Sequence, residues 1–362
     1  MVEARNCVLI SFPFAAGVAL AQFSGFSLFH ISLALVAGLV LPALGGRLNR
    51  RFWYGVMFFA VGMLCGAASL AASPAITKNG LPGVDTAAGS LLRRALTHTG
   101  AIIRDLPFPH ERTNALLRAL LTGQRDGLGR ETTAAFRAAG ASHILALSGL
   151  HLGIIYLLVS KLLLPVGNGR ISAVIRSVLV VAVAAFYTFM TGASPSTVRA
   201  LLFITLNETL KHCPWRRKSP IAVWCCALMI QLTFSPWAIR SAGFQLSYLA
   251  MLGIFTLYPR LDAIYPKPQK GRDPLRWMWS SMALSISCQA FTAPLVWILF
   301  KSFPVHFLLT NLLALPLTTV LMFCAVALLL SGFAGICPSW LILTTDTLAE
   351  LLQACLEIIS GM

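Results

Sequence analysis

The sequence predicts an all-α polytopic membrane protein with about 10–11 transmembrane or membrane-embedded helices and one helical extracytoplasmic segment. Three observations predict it. The 362 residues are 57% hydrophobic and only 11% charged, where a soluble domain carries about 25% charge, and the mean hydropathy is +0.78. Apolar runs of roughly 20 residues, the length that crosses the hydrocarbon core, recur along most of the chain. They give way only over 73–141, a polar stretch broken by Pro74, Pro82, Pro107 and Pro109.

In chain order, the first three apolar runs are 7–24, 27–45 and 52–72. The N-terminus, Met-Val-Glu-Ala-Arg, has no clear cleavage site before its apolar stretch and reads as an uncleaved first helix. Within 73–141 two amphipathic helical patterns occupy 84–105 and 111–139, and a Gly-Gln-Arg-Asp-Gly turn at 123–127 interrupts the second. Apolar runs resume at 142–163, 171–191, 196–210, 219–235, 240–258, 277–300, 303–332 and 338–359. Pro316 predicts a broken or re-entrant helix in the penultimate run. The last run carries Asp346, Glu350, Gln353 and Glu357 and predicts an amphipathic helix on the membrane or against the bundle. The chain thus divides into N-terminal spans (1–72), the extracytoplasmic segment (73–141) and a transmembrane core (142–362).

One alternation of loops satisfies the positive-inside rule. With 47–51 (Arg47, Arg50, Arg51) in the cytoplasm, the N-terminus is cytoplasmic and 73–141 lies outside. The basic stretches 161–170, 211–218 and 259–276 then all fall inside. The total of 28 Lys and Arg against 12 Asp and Glu, a formal +16, fits this rule or a basic lining for an anionic substrate. The nine cysteines show no C-x-x-C spacing and the seven histidines are dispersed. Neither a disulfide framework nor a metal site is predicted, no nucleotide-binding G-x-x-x-x-G-K-[ST] loop occurs, and no cofactor is expected.

Polar residues inside apolar runs are the functional candidates, because hydrocarbon leaves them unsolvated. His143, Ser148 and His151 head the run at 142–163. Ser148 and His151 are three apart and predict a shared helix face, and Gly149 and Gly153 form a small-x-x-x-small pair. A same-helix serine and histidine without a third member is a weak hydrolase signal, so packing, pore lining and catalysis all stay open. Residues 191–200, Thr-Gly-Ala-Ser-Pro-Ser-Thr-Val-Arg-Ala, predict a tight turn into a capped helix with Pro195 in its first turn. Arg199 sits one turn in, either snorkelling or placed for a phosphate. Arg240, Gln245, Gln289 and Asn311 enter later runs and complete a candidate hydrophilic path. Phe244, Tyr248, Phe291 and Trp297 are candidates for stacking on bases or for core duty.

Four blocks in order resemble the ComEC-type competence protein family: Leu-Thr-Gly-Gln-Arg-Asp-Gly-Leu (121–128) with Ser-His-Ile-Leu-Ala-Leu-Ser-Gly-Leu-His (142–151); residues 191–200; Gly-Phe-Gln-Leu-Ser-Tyr-Leu-Ala (243–250); and Ser-Cys-Gln-Ala-Phe-Thr-Ala-Pro-Leu (287–295) with Asn-Leu-Leu-Ala-Leu-Pro (311–316). The resemblance implies a channel in the bacterial cytoplasmic (inner) membrane that conducts single-stranded DNA during natural transformation. It implies as partners a DNA receptor or pilus machinery, a cytosolic helicase-like motor and single-strand-binding proteins, with homo-oligomers possible. Strand signals for the family's OB-fold are too few in 73–141. The histidine motif of its metallo-β-lactamase-like domain does not occur, so the chain is expected to be a channel and not an enzyme. An intramembrane serine hydrolase using Ser148 and His151, and a small-solute transporter, are the alternative readings.

Overall fold

The computed structural model describes residues 2–24, 50–71, 87–167, 169–213, 219–266, 273–301 and 306–361. They form helices α1 (Val2–Ser24), α2 (Arg50–Ala71), α3 (Ala87–Asp105), α4 (Glu111–Thr122), α5 (Arg130–Ala138), α6 (Ser142–Leu145), α7 (Gly149–Leu162), α8 (Arg170–Met190), α9 (Pro195–His212), α10 (Pro220–Phe234), α11 (Ala242–Thr256), α12 (Tyr258–Asp262), α13 (Pro274–Phe300), α14 (Phe307–Phe333) and α15 (Ser339–Ser360). No strand occurs among the described residues. The segments Asn6–Ser24, Arg170–Met190, Pro274–Phe300 and Phe307–Phe333 are long and apolar enough to cross a bilayer, and Tyr54–Leu70, Gly149–Leu162 and Pro220–Phe234 are apolar but shorter. The protein is an all-α polytopic membrane protein. The span expected at 27–45 and the basic clusters at 47–49, 214–218 and 267–272 lie outside the described residues.

Two compact units result. Met1–Val84 and Leu202–Phe255 form one; Asp85–Leu201 and Thr256–Met362 form the other. In the first, α1 packs along α2 and α10. Its core joins Phe14, Val18, Trp224, Leu228, Phe244 and Tyr248. Phe244 and Tyr248 are therefore core residues here: Tyr248 meets Trp224 edge-on at 5.7 Å and donates its hydroxyl hydrogen to Gln231 Oε1 at 2.9 Å.

In the second unit, α14 and α15 pack together and receive α4, α5 and α7. The amphipathic patterns account for this. α4 buries Thr113, Leu116, Leu117, Leu120 and Leu121 at three- and four-residue spacing. It ends at Gly123, whose φ of 76° places it in the left-handed region and whose N–H donates to Ala119 O. Phe136 is the buried anchor of α5. The polar last helix lies against this core: α15 buries Thr345, Asp346, Ala349, Leu352, Gln353 and Leu356.

α14 runs unbroken through Pro316, contrary to the break expected there. Proline removes one backbone bond, and within a helix bundle neighbouring groups re-satisfy what is freed. The bond lost is the one to Leu312 O, four residues back; Thr318 and Thr319 add side-chain bonds to Ala314 O and Leu315 O at 2.7 Å each on the turn that follows. α13 likewise continues through Pro294.

Candidate functional site

The apolar run at 142–163 is not one helix. α6 ends at Leu145, Ala146 is extended (φ −80°, ψ 132°), and Ser148 is extended (φ −125°, ψ 171°) as the N-cap of α7. Ser148 and His151 therefore do not share a helix face; they close a capping box. Ser148 Oγ accepts the Leu150 N–H at 3.3 Å. His151 Nδ1 accepts the Ser148 backbone N–H at 3.3 Å and lies 2.9 Å from Ser148 Oγ. The histidine takes the role that glutamate plays in the usual box. Because Nδ1 accepts, the ring proton belongs on Nε2. His151 is fully buried, and Nε2 meets no hydrogen-bond partner among the described residues.

A break in a helix frees carbonyls, and each one left unsatisfied in hydrocarbon costs several kcal/mol. Side chains from distant positions take them here. Arg125 Nη2 donates to Leu145 O at 3.1 Å and Ser196 Oγ to Leu147 O at 2.7 Å. Nearby, the buried Tyr187 hydroxyl donates to Leu121 O at 2.9 Å, and Thr310 Oγ1 to Ala139 O at 2.6 Å. Leu147 also packs on Gly123, where a Cβ would lie 2.6 Å from Leu147 Cδ1.

α9 is delivered to this place by a sharp turn. Gly192 (φ 89°) and Ala193 (φ 47°) are left-handed, Pro195 is the first helical residue, and Ser194 Oγ accepts the Thr197 N–H at 3.3 Å. Arg199 follows one turn in, 9% exposed. A Cβ on Gly149 would lie 3.7 Å from Arg199 Nη2 and 3.5 Å from Ala200 Cβ. A buried guanidinium thus sits against the N-terminal turn of α7, the positive end of that helix dipole. Gly153, expected to share in close helix contact, has no atom within 4 Å of its Cβ position.

The eight candidate residues are divided between the two units. Ser148, His151 and Arg199 come together. His143 is exposed on α6, with Nδ1 3.2 Å from Gly140 O. Asn311 follows the anchor Thr310, and Gln289 lies on α13; Asn311 Oδ1 and Gln289 Nε2 are buried with no hydrogen-bond partner among the described residues. Arg240 and Gln245 belong to the first unit. Arg240 is exposed, 5.6 Å from the Phe23 ring, and Gln245 Nε2 donates to Ile239 O at 2.7 Å.

Residues 120–362 match the family model described as Competence protein. The chain belongs to that family. It is similar to ComE operon protein 3 of Bacillus subtilis, 31% identical over 44% of this chain and 19% of that protein. It is similar to competence protein ComA of Neisseria gonorrhoeae, 29% identical over 56% of this chain and 28% of that protein. Recombination protein 2 of Haemophilus influenzae is 26% identical over 57% of this chain and 27% of its own length. The matched stretches thus amount to between 19% and 28% of these relatives' length. No solved structure matches the chain at significance.

The competence-family match takes in the α6–α7 break and all four carbonyl anchors at and beside it. None of the four was a sequence candidate: Arg125 and Ser196 lie within quoted blocks, and Tyr187 and Thr310 lie outside them. Tyr187 and Thr310 are each a hydroxyl in an apolar helix next to a quoted block, which is the signal that points to them. A second cluster was missed altogether. Asp346, buried on α15, accepts from Thr113 Oγ1 at 2.6 Å and pairs with His110 Nδ1 at 2.8 Å. The hydrogen bond to Asp346, then its charge, pull the His110 imidazole above its ordinary 6.5. A third cluster lies between α12 and α13, where Asp262 pairs with Arg276 and accepts from Ser280 Oγ at 2.7 Å. The Ser280 bond leads in holding that carboxyl below its usual range.

Proposed function

We propose that this chain forms part of the path by which a single DNA strand crosses the bacterial cytoplasmic membrane during natural transformation. In this reading the N-terminus is cytoplasmic, and the segment of α3, α4 and α5 faces outward to receive DNA. One observation carries the proposal: the buried Arg199 guanidinium rests on the positive end of α7, inside the family-matched region. The guanidinium and the helix N-terminus together offer positive charge to an anion that passes the break. A backbone phosphate passing the break would find both, together with the Ser148 hydroxyl. Irregular backbone at membrane depth is itself tolerated where it is buried in protein or lines a water-filled cavity. Conduction needs contacts of this weak, sequence-independent kind.

In this reading the protein is a conduit, not an enzyme. Force comes from a cytosolic helicase-like motor and from single-strand-binding proteins on the inner side. Uptake of labelled DNA by a competent host that depends on this chain tests it. Arg199→Gln is expected to lower uptake at least tenfold with membrane abundance unchanged; unchanged uptake rejects Arg199 as a path residue.

The hydrolase reading draws on the 2.9 Å between Ser148 Oγ and His151 Nδ1, a distance that also suits a nucleophile and base. The capping role of both side chains and the unpartnered Nε2 weigh against it, since a catalytic histidine is oriented through its second nitrogen. Ser148→Ala separates the two. A conduit keeps partial uptake, whereas a hydrolase loses all turnover.

A further inference from the structure

A cavity of about 360 Å³ opens between the start of α4 and the start of α5. Arg112 lines it from α4, Arg130, Glu131 and Thr132 from α5, and Gly127 and Gly129 from the connection. The two glycines present backbone where side chains would fill the space, and Gly127 needs its freedom at φ 91°. Both arginines are exposed to solvent.

The surroundings indicate what the cavity takes. Residues 87–141 hold eight arginines and no lysine against four acidic residues. Arginine's planar fork suits bidentate contact with phosphate, where lysine is a point charge. Large apolar side chains are exposed at Leu91 and at Leu150, and at no position between them. A helix that lies on a bilayer joins basic residues to exposed Leu, Phe or Trp that enter the acyl region. On the two helices that line the cavity, α4 and α5, no large apolar side chain is exposed beside the arginines, so this surface faces water and a soluble anion rather than headgroups. A cavity of this size falls at the low end of the range for ligand sites and accommodates one phosphodiester with part of its sugar.

We propose that the Arg112–Arg130 cavity is a receiving site for a phosphodiester of the DNA strand before it reaches the membrane path. This rests on the outward orientation and strand-path reading given above. Glu131 on the cavity wall keeps the contact weak, as a strand that must move on requires.

The test measures binding of a fluorescent 12-nucleotide oligo-dT to the full chain in phosphatidylcholine nanodiscs, by anisotropy across a salt series. The cavity pair Arg112→Gln/Arg130→Gln is expected to weaken binding about tenfold and to flatten the logarithmic salt dependence by roughly 0.7 per phosphate lost. Arg93→Gln/Arg94→Gln removes the same charge from exposed positions on α3 outside the cavity and should cost less than threefold. Glu131→Gln is expected to tighten binding about twofold or more. Equal losses from the two arginine pairs, or no gain from Glu131→Gln, would overturn the cavity. So would loss of oligonucleotide binding when phosphatidylglycerol replaces phosphatidylcholine, because the bilayer would then be the occupant. If these variants bind alike while Arg199→Gln still abolishes uptake, the cavity fails and the strand path stands. If Arg199→Gln also leaves uptake intact, both fall.

Discussion

Between α1 and α2 the backbones approach so closely that side chains are excluded, whereas at the α6–α7 break and the ends of α4 and α5 beside it side chains are recruited from four other places to hold the backbone. In the α1–α2 seam, a Cβ on Gly17 would lie 2.1 Å from Phe59 O, and one on Gly62 would lie 2.1 Å from Phe14 O. A Cβ on Gly66 would lie 2.8 Å from Ala21 Cβ and 3.1 Å from Val18 O. The seam's polar part is small: Gln22 donates to Gly66 O at 3.0 Å and to Ser69 Oγ at 2.8 Å. Arg125 and Ser196 donate to main-chain carbonyls of the break, and Tyr187 and Thr310 to those at the ends of α4 and α5. Lipid tails are as apolar as leucine, so helices in a bilayer associate through close van der Waals fit or through hydrogen bonds. The seam uses the first and the break the second. Fit alone holds helices together. A polar scaffold also leaves oriented groups in the interior, and it is the one that the competence-family match covers.

The largest effect is expected at the seam. Gly62→Ala sets a methyl against the Phe14 carbonyl and forces the helices apart, at a cost of about 3 kcal/mol. Gly153→Ala, with open space at its Cβ, should change stability by less than about 1 kcal/mol, in the stabilising direction because alanine favours helix. Chemical unfolding in mixed micelles measures both. Similar values for the two would dissolve the contrast between the regions.

Next in size are the anchors. Tyr187→Phe removes a hydroxyl with little change of shape and leaves Leu121 O buried and unsatisfied. Ser196→Ala does the same to Leu147 O. Each should cost about 1–3 kcal/mol. The sharper readout compares uptake with abundance in the membrane. A seam variant should lose the two in proportion, as a protein that folds less often. An anchor variant should lose more uptake than abundance, because the misplaced α7 N-terminus and Arg199 remain in a folded chain. Proportional loss at the anchors would reduce them to structural supports like the seam.

Hydrophobic period and length made the helices legible. The expected runs at 171–191 and 338–359 fall within a residue of Arg170–Met190 and Ser339–Ser360. What was illegible depended on partners far along the chain. Gly62 and Gly66 have the same spacing as Gly149 and Gly153, yet only the first pair meets another backbone; spacing permits close approach, and the neighbouring helix decides it. Ser148 sits in an apolar run that supports continuous helix. The break is stabilised by His151 reaching back and by Ser196, 49 residues beyond Leu147. The sequence put Ser148, His151 and Arg199, which the fold brings together, on one candidate path with the other polar candidates. It did not separate Arg240 and Gln245, which contact separates into the other unit. Asp346 read as one acid on an amphipathic helix because its partners His110 and Thr113 lie 236 and 233 residues away.

That pair sets the smallest effect and the last contrast between the regions. His110 is raised above 6.5 by Asp346, so the folded state holds its proton more tightly than the unfolded chain does. Its contribution is complete below about pH 6.5 and is lost as the pH rises through the higher folded value. A neutral ring still donates from Nδ1, and Thr113 still donates to Asp346, so deprotonation weakens this junction without opening it. The imidazole is largely exposed, at 56%, which screens the pair and keeps the effect modest. Amide exchange in α15 should therefore quicken slightly as the pH rises from 6 to 8.5, after correction for the intrinsic rate. His110→Gln, which retains a donor and has nothing to titrate, should remove that dependence. Exchange in α1 should not respond, because its contact with α2 is made by Gly17, Gly62 and Gly66 against backbone and a methyl group. An equal pH response in α1 and α15, or one that survives in His110→Gln, would mean that the polar junction is not what distinguishes the second unit from the first.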